Sequence, residues 1–435
     1  MPDFRLAPLE PEIKRYENGF RGICQLRRAT EGKKLSDLIE RVSQPMVIAL
    51  DAPWGGGKSV FLKCWVGAHT KENDGKAATV YFDAFKHDFM DDPLISLTGV
   101  VTERLSKTEA ELTILKSMRE TASKLVRPGF KIALALGTAG ASKLANDVVD
   151  AALDAGSKEL ETAAEAFWRR EDGKRAAMAG FRETLEKLAA KQKVVIVVDE
   201  LDRCRPDYAL NLLEVIKHFF DVPNVHFVLG VNLKELANSV RARYGAASDA
   251  DRYLQKFVTV STPLIPRNRR LSRSQLLTDY FNDVSRAIGL EGSSVAEGLH
   301  HYLSFVDHFA GLTLRDVQQV ARLALVTPEP SKGSQARAHL HWGALVLRIL
   351  APTTFAKARL GTLEQSDVRS VFSFGHGSPF ASNANYVWQL VSVPESPSLS
   401  PKQSAVREDM FRDEDPRQVL RDVIAETIDV FELMT

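Results

Sequence analysis

Residues 46 to 61 read M-V-I-A-L-D-A-P-W-G-G-G-K-S-V-F, an apolar run, a glycine-rich turn, then a lysine and a serine leading into a second apolar pattern. Few folds accommodate that order. A short aliphatic run bounded by turn residues is a buried strand, and Phe61, Leu62 and Trp65 continue at helical spacing, so the chain turns from strand to helix between them. Backbone N–H groups wrap a polyphosphate only where side chains do not block the approach, and Gly55, Gly56 and Gly57 supply bare backbone. Lys58 is then placed for the β- and γ-phosphates and Ser59 for Mg2+, while the N-terminus of the helix they open favours the anion. Pro53, Trp54 and Val60 complete the expected nucleotide-binding stretch. One position departs from the pattern G-x-x-x-x-G-K-[ST]: its first glycine place holds Ala52, which is strained if the backbone there needs a positive φ.

A second informative stretch, K-V-V-I-V-V-D-E-L-D over residues 193 to 202, is an aliphatic run typical of a central parallel strand and ends in adjacent acids. Ligands in open α/β sheets sit at the carboxyl ends of strands, which is where Asp199 and Glu200 fall. Asp199 is expected in the metal shell, and Glu200 as the group that polarises the attacking water. Val225 to Val231 reads as another buried strand, ending at Asn232, which either caps the next helix or senses the γ-phosphate; sensing is the reading adopted. Arg315 falls near the start of a helical pattern over residues 312 to 325, where an arginine can reach back over a nucleotide. The guanine-reading sequence N-K-x-D is missing, so ATP is the expected nucleotide. No second catalytic constellation is recognisable: His300, His301 and His308 cluster without a cysteine or acid at ligand spacing.

A chain of 435 residues is too long for one ordinary core. The expected plan is a lead-in over 1–45, a core over 46–265 with a helical insertion at about 93–190, a helical lid over 266–390, a mobile linker over 391–416, and an amphipathic helix over 417–435. In the lead-in, Leu35, Leu38, Ile39 and Val42 predict a helix ending before Pro45. Further strands are expected at Ala78–Phe82 and Phe257–Val260, with Pro263 and Pro266 ending regular structure. The last helix carries Val419, Leu420, Val423, Ile424, Val430, Phe431 and Met434 on one face, which needs a partner in the body or in another chain.

Net charge of +1 gives no global pull toward nucleic acid, leaving only the cluster Arg267, Arg269, Arg270 and Arg273 as a local basic patch. Cys24, Cys64 and Cys204 lie far apart, against a zinc site or a disulfide framework and in favour of a reducing cytoplasm. The polar N-terminal residues predict no export. The Ala/Gly-rich run from Phe130 stays apolar for about thirteen residues, short of the ~20 needed to span a bilayer, so a packed helical hairpin is expected, with a surface-lying helix left open.

Taken together, P-W-G-G-G-K-S, F-D-A-F-K-H-D, V-V-I-V-V-D-E-L-D-R-C-R-P, F-V-L-G-V-N and Y-L-Q-K-F resemble the KAP family of P-loop NTPases over roughly residues 20 to 330. The resemblance implies an α/β fold with an additional-strand parallel sheet of order 5-1-4-3-2, the strand ending at Asn232 lying between the two motif strands. It also implies that Asp202 and Arg203 shape the site or touch a neighbouring subunit. Many relatives carry transmembrane helices where this chain has only the Ala/Gly-rich run. Several bacterial relatives belong to phage-exclusion and defence systems, beside separate effector proteins. The expected function is thus a Mg2+-dependent ATPase acting as a conformational or assembly switch, in a homo-oligomer or with an effector, with Arg203 or Arg315 assisting turnover. A nucleotide-gated scaffold and a nucleic-acid-stimulated motor are the alternatives.

Overall fold

The computed structural model describes residues 12–21, 24, 28–90, 92–105, 161–264, 273–306, 312–328, 334–375, 378–392, 401–412 and 414–430. The Ala/Gly-rich run from Phe130, the basic residues Arg267, Arg269 and Arg270, and His308, Phe431 and Met434 lie outside them. The described residues form two units, one of Ile13–Pro53 with Lys58–Leu264, the other holding Trp54–Gly57 and the part beyond Leu264.

In the first unit, strands β1 (Met46–Asp51), β2 (Ala78–Asp83), β3 (Val194–Asp199), β4 (Val225–Val231) and β5 (Val260–Pro263) build one sheet in the order β2-β3-β4-β1-β5. Every pairing is parallel, and the order is the one that the family resemblance implied, read from the opposite edge. β3 and β4 are buried at every residue, which is why their sequences are unbroken apolar runs rather than alternating ones. Register aligns Asp83, Asp199 and Gly230 across β2, β3 and β4, and Asp51 with Val231 and Pro263, so the acids gather at one end of the sheet. The fifth strand starts later than expected. Phe257 is buried in the turn after the helix Ala250–Leu254, and Pro263 belongs to the strand; β5 is an edge, where a missing N–H breaks no ladder.

Helix α1 (Ala29–Arg41) precedes β1 and buries Leu35 and Ile39. The carbonyls at its C-terminal end, which no helical N–H can reach, are satisfied by a lysine just before β3: Lys193 Nζ donates to the Ile39 carbonyl at 3.0 Å, to that of Val42 at 2.9 Å and to that of Glu40. Helix α2 (Lys58–Lys71) is buried on most sides, with Phe61, Leu62, Cys64, Trp65 and Val66 in the core. A polar knot ties it to α1. Ser36 Oγ accepts from Trp65 Nε1 at 3.1 Å and Asn73 Nδ2 at 3.0 Å and lies 2.9 Å from His69 Nδ1, whose other nitrogen is 3.2 Å from the Glu40 carboxylate. Burial also pushes the Cys64 thiol up to about 12, and all three cysteines are free.

β2 is the other edge and is followed by α3 (Ala84–His87) and α4 (Pro93–Leu105). Its outward backbone groups are covered by side chains: the Tyr81 N–H donates to the Tyr16 hydroxyl at 2.9 Å, and Arg104 Nε donates to the Thr79 carbonyl at 3.1 Å. The Arg104 guanidinium also lies 3.7 Å above the Tyr16 ring. The charged helical stretch before β3 is a single helix, Glu161–Ala189. Among the described residues, no helix is long and apolar enough to cross a membrane.

The described residues beyond Leu264 are helical, running through Arg273–Ile288, Ser294–Ser304, Leu314–Val326, Gln335–Leu350, Pro352–Leu360, Gln365–Val371, Pro379–Ser392, Pro401–Phe411 and Pro416–Val423, which passes into a π-turn at Ile424–Ile428. The core of these helices forms around Tyr302, whose hydroxyl accepts from Trp388 Nε1 at 3.0 Å and lies 3.3 Å from His339 Nδ1, with Phe305, Phe372 and Phe380 packed round the ring. One expectation changes here and another is narrowed. Within the stretch expected to be a mobile linker, residues 401–411 form a helix, started by a proline that needs no N–H partner and anchored by buried Met410 and Phe411. Four residues of the terminal apolar face are covered by their own unit: Val419, Leu420, Val423 and Ile424 are buried, whereas Val430 is exposed, and His341 Nδ1 lies 2.9 Å from Thr427 Oγ1.

His339 and His341 are buried, and that burial lowers both to a pKa of about 4. A histidine depressed from 6.5 binds protons only in the unfolded chain through that window, so the stability it permits is complete above pH 6.5 and is lost as pH falls toward 4. Acid titration followed by tryptophan fluorescence is expected to show the helical unit losing on the order of 1–3 kcal/mol across this range. His341→Asn, which keeps a donor toward Thr427 without the titration, is expected to flatten the loss.

Candidate nucleotide site

The carboxyl ends of β1, β3 and β4 carry the side chains that the sequence singled out. Lys58 opens α2 and folds back over the turn, with Nζ donating to the Ala52 carbonyl at 2.7 Å and lying 3.7 Å from an Asp202 carboxylate oxygen. Only 7% of the residue is exposed, and burial lowers its pKa against the opposing pull of Asp202 and Asp199. Gly55 and Gly57 adopt φ of 76° and 75°, a left-handed backbone that glycine accepts at no steric cost. Ala52 needs no such conformation, because it is absent from the non-glycine residues of positive φ and its N–H extends the ladder to the Val231 carbonyl at 3.1 Å. The strain anticipated for the missing first glycine is therefore not present. Pro53, Trp54 and Val60 are exposed. Within the unit that holds the loop tip, a Cβ on Gly55 would fall 2.7 Å from Arg315 Cβ and 2.9 Å from Thr313 Oγ1, so a glycine is required for close packing as well.

Asp199 has no exposed surface, and burial raises its pKa to about 6 although several donors pull it down. Those donors include the Tyr81 hydroxyl, 2.6 Å from Oδ2, and the Glu200 N–H, 2.9 Å from Oδ1. Glu200 itself sits at φ 59° and ψ 27°, a left-handed conformation that is costly for a residue with a Cβ and that turns the chain sharply out of β3. Its Oε1 accepts from Ser59 Oγ at 3.1 Å and is paired with Arg203 Nη1 at 3.0 Å. Arg203, at the end of the 3-10 turn Leu201–Arg203, thus has its partner in its own chain. Asp202, in the same turn, turns its carboxylate toward Lys58.

Asn232 is half-buried just after β4 and makes no side-chain cap to the helix Leu233–Tyr244; Asp51 of β1 does that instead, accepting from the Leu233 N–H at 2.9 Å. Arg315 lies in the first turn of the helix Leu314–Val326, behind a capping box of Thr313 and Asp316. Two contributors escaped the sequence reading. Tyr81 sits mid-strand in β2 with nothing local to mark it, whereas Gly230 left a usable trace, a lone glycine in the apolar run V-L-G-V, which signals close approach. A Cβ there would fall 2.4 Å from Leu62 and 2.8 Å from Asp199 Oδ1.

The donor set suits a magnesium-bound polyphosphate. Mg2+ is held by few protein oxygens beside those of the phosphates, and here a hydroxyl and two carboxylates cluster at Ser59, Asp199 and Glu200, next to a buried ammonium and a glycine backbone. A five-stranded parallel sheet with this loop after one strand and a buried aspartate ending another defines a P-loop NTPase, a nucleotide-binding class. Residues 28–328 match the KAP family P-loop domain, and the chain belongs to that family. No curated protein matches it. A solved structure of the Aeropyrum pernix ORC2 protein, in ADPNP-ADP complexes, is similar over 79% of this chain and 67% of that one at 12% identity, with a TM-score of 0.31. A likeness that faint carries no argument about function.

Gly230→Ala is expected to lower stability by about 1–3 kcal/mol, because the added methyl meets two buried side chains that have little room to move. Chemical denaturation of the variant against the parent checks this, and a loss below a few tenths of a kcal/mol would show that Leu62 and Asp199 repack freely.

Proposed function

We propose that the chain is a Mg2+-dependent ATPase that uses ATP binding and hydrolysis as a conformational or assembly switch. The observation that carries this reading is the cluster of Ser59, Glu200 and Asp199 joined by hydrogen bonds beside buried Lys58. Bound Mg2+ would neutralise charge on the phosphates, with Ser59 and Asp199 as its protein ligands. Lys58 holds the β- and γ-phosphate oxygens, helped by the glycine backbone and the start of α2. Glu200 accepts a hydrogen bond from the attacking water and orients it, and Asn232 faces the γ-phosphate. A pure binder has no need of Glu200, which favours hydrolysis over a nucleotide-gated scaffold.

Lys58→Ala is expected to abolish tight ATP binding by calorimetry. Glu200→Gln keeps shape and metal contacts and is expected to bind normally while turnover falls by at least ~10²-fold. Unaltered turnover in that variant would remove Glu200 from its role.

The proposal extends to assembly as a homo-oligomer or beside a separate effector, in the bacterial defence setting suggested by relatives. The arginines are its support. Arg203 engages Glu200 within its own chain, and Arg315 remains the candidate for steadying charge that builds on the γ-phosphate. ATPase rate per chain is expected to rise with protein concentration in step with mass by light scattering. A monomeric mass with a constant specific rate would leave Arg315 acting in its own chain alone.

A further inference from the structure

We infer that Tyr81 is a positioning residue for the metal site, fixing the Asp199 carboxylate in the orientation from which it serves Mg2+. The inference rests on the reading of Asp199 as the metal-binding acid and deepens it. Asp199 is fully buried, and protein donors set the direction of its oxygens. The Ser59 hydroxyl is one such donor, and the Glu200 N–H on Oδ1 at 2.9 Å, supplied by the same strand end, is another. A third comes from a different strand: the Tyr81 hydroxyl on Oδ2 at 2.6 Å. A carboxylate held at both oxygens cannot turn about its Cβ–Cγ bond without breaking one of those bonds, and a carboxylate only accepts, so the phenol proton must point at it.

Tyr81 is itself held in place. It is 2% exposed, its backbone N–H donates to the Tyr16 hydroxyl at 2.9 Å, and the Arg15 guanidinium stands 5.4 Å from its ring centre. Tyr16 in turn carries the Arg104 guanidinium on its ring at 3.7 Å. A chain of contacts therefore runs from the outer edge of the sheet through Tyr16 and Tyr81 to Asp199, and loss of the phenol would remove the donor to Oδ2 of a buried carboxylate. Partners that orient metal ligands in this way typically govern metal affinity by about 10–100-fold.

The test is Tyr81→Phe, which removes one oxygen from a ring that otherwise stays packed. Mn2+ as the probe, counted by electron paramagnetic resonance with a non-hydrolysable ATP analogue present, is expected to bind at least ~10-fold more weakly to the variant than to the parent. Affinity for the analogue without metal is expected to be unchanged, since Lys58 and the glycine loop are untouched. Tyr16→Phe, which leaves the phenol of Tyr81 in place and removes only the acceptor for its backbone, is expected to weaken Mn2+ binding in the same direction by a smaller factor, and serves if Tyr81→Phe does not fold. Equal Mn2+ affinity in a folded Tyr81→Phe protein, or in Tyr16→Phe should that be the variant that folds, overturns the role. Failure of the parent to bind Mn2+ with the analogue would instead overturn the ATPase reading.

Discussion

A carboxylate with no access to solvent is among the costliest groups that a protein can bury, and Asp199 is one. Much of the sheet is arranged so that it can exist. β3 must be central to hide it, β2 must bring the phenol of Tyr81 to one oxygen, and β4 must have no side chain at Gly230, opposite it. The N–H of Glu200, in the peptide plane that directly follows Asp199, reaches the other oxygen. Strand order, a phenol and a glycine are thus parts of one solution to one electrostatic problem. Lys58 poses the mirror problem, a buried cation, answered by the carbonyl of Ala52 and by Asp202.

The segments that declared themselves in the sequence were those whose reasons are local. β1, β3 and β4 are apolar runs ending in turn or acidic residues, and the glycine loop is contiguous, so pattern alone placed Gly55 to Ser59 and Asp199. What stayed hidden depends on residues far apart in the chain. Lys193 looked like the polar start of a strand, yet its ammonium closes the end of α1, and Tyr81 looked like any aromatic in a strand. Whether Ala52 carries strain depends on the backbone φ at that point, which the motif does not reveal; the backbone there is still paired with β4. The fifth strand was misplaced by a few residues because Pro263 reads as a stop when it is only an edge.

Composition misled in the C-terminal part for a different reason. Serine, proline and charge mark a linker on average, but a helix needs only one anchored face, and Met410 with Phe411 provides it. The apolar face of the last helix needs cover, and for Val419, Leu420, Val423 and Ile424 that cover is intramolecular. Any self-association of this chain must therefore be built from other surface than Val419, Leu420, Val423 and Ile424.

The lock on the outer rim of β2 restricts assembly as well. An open sheet ordinarily offers its last strand as a template on which an incoming peptide or a second sheet can add, hydrogen bond by hydrogen bond. Here the Thr79 carbonyl and the Tyr81 N–H are already taken by Arg104 and Tyr16, and the two capping side chains are stacked on each other. Strand addition at that rim would first have to strip away a cation resting on an aromatic face.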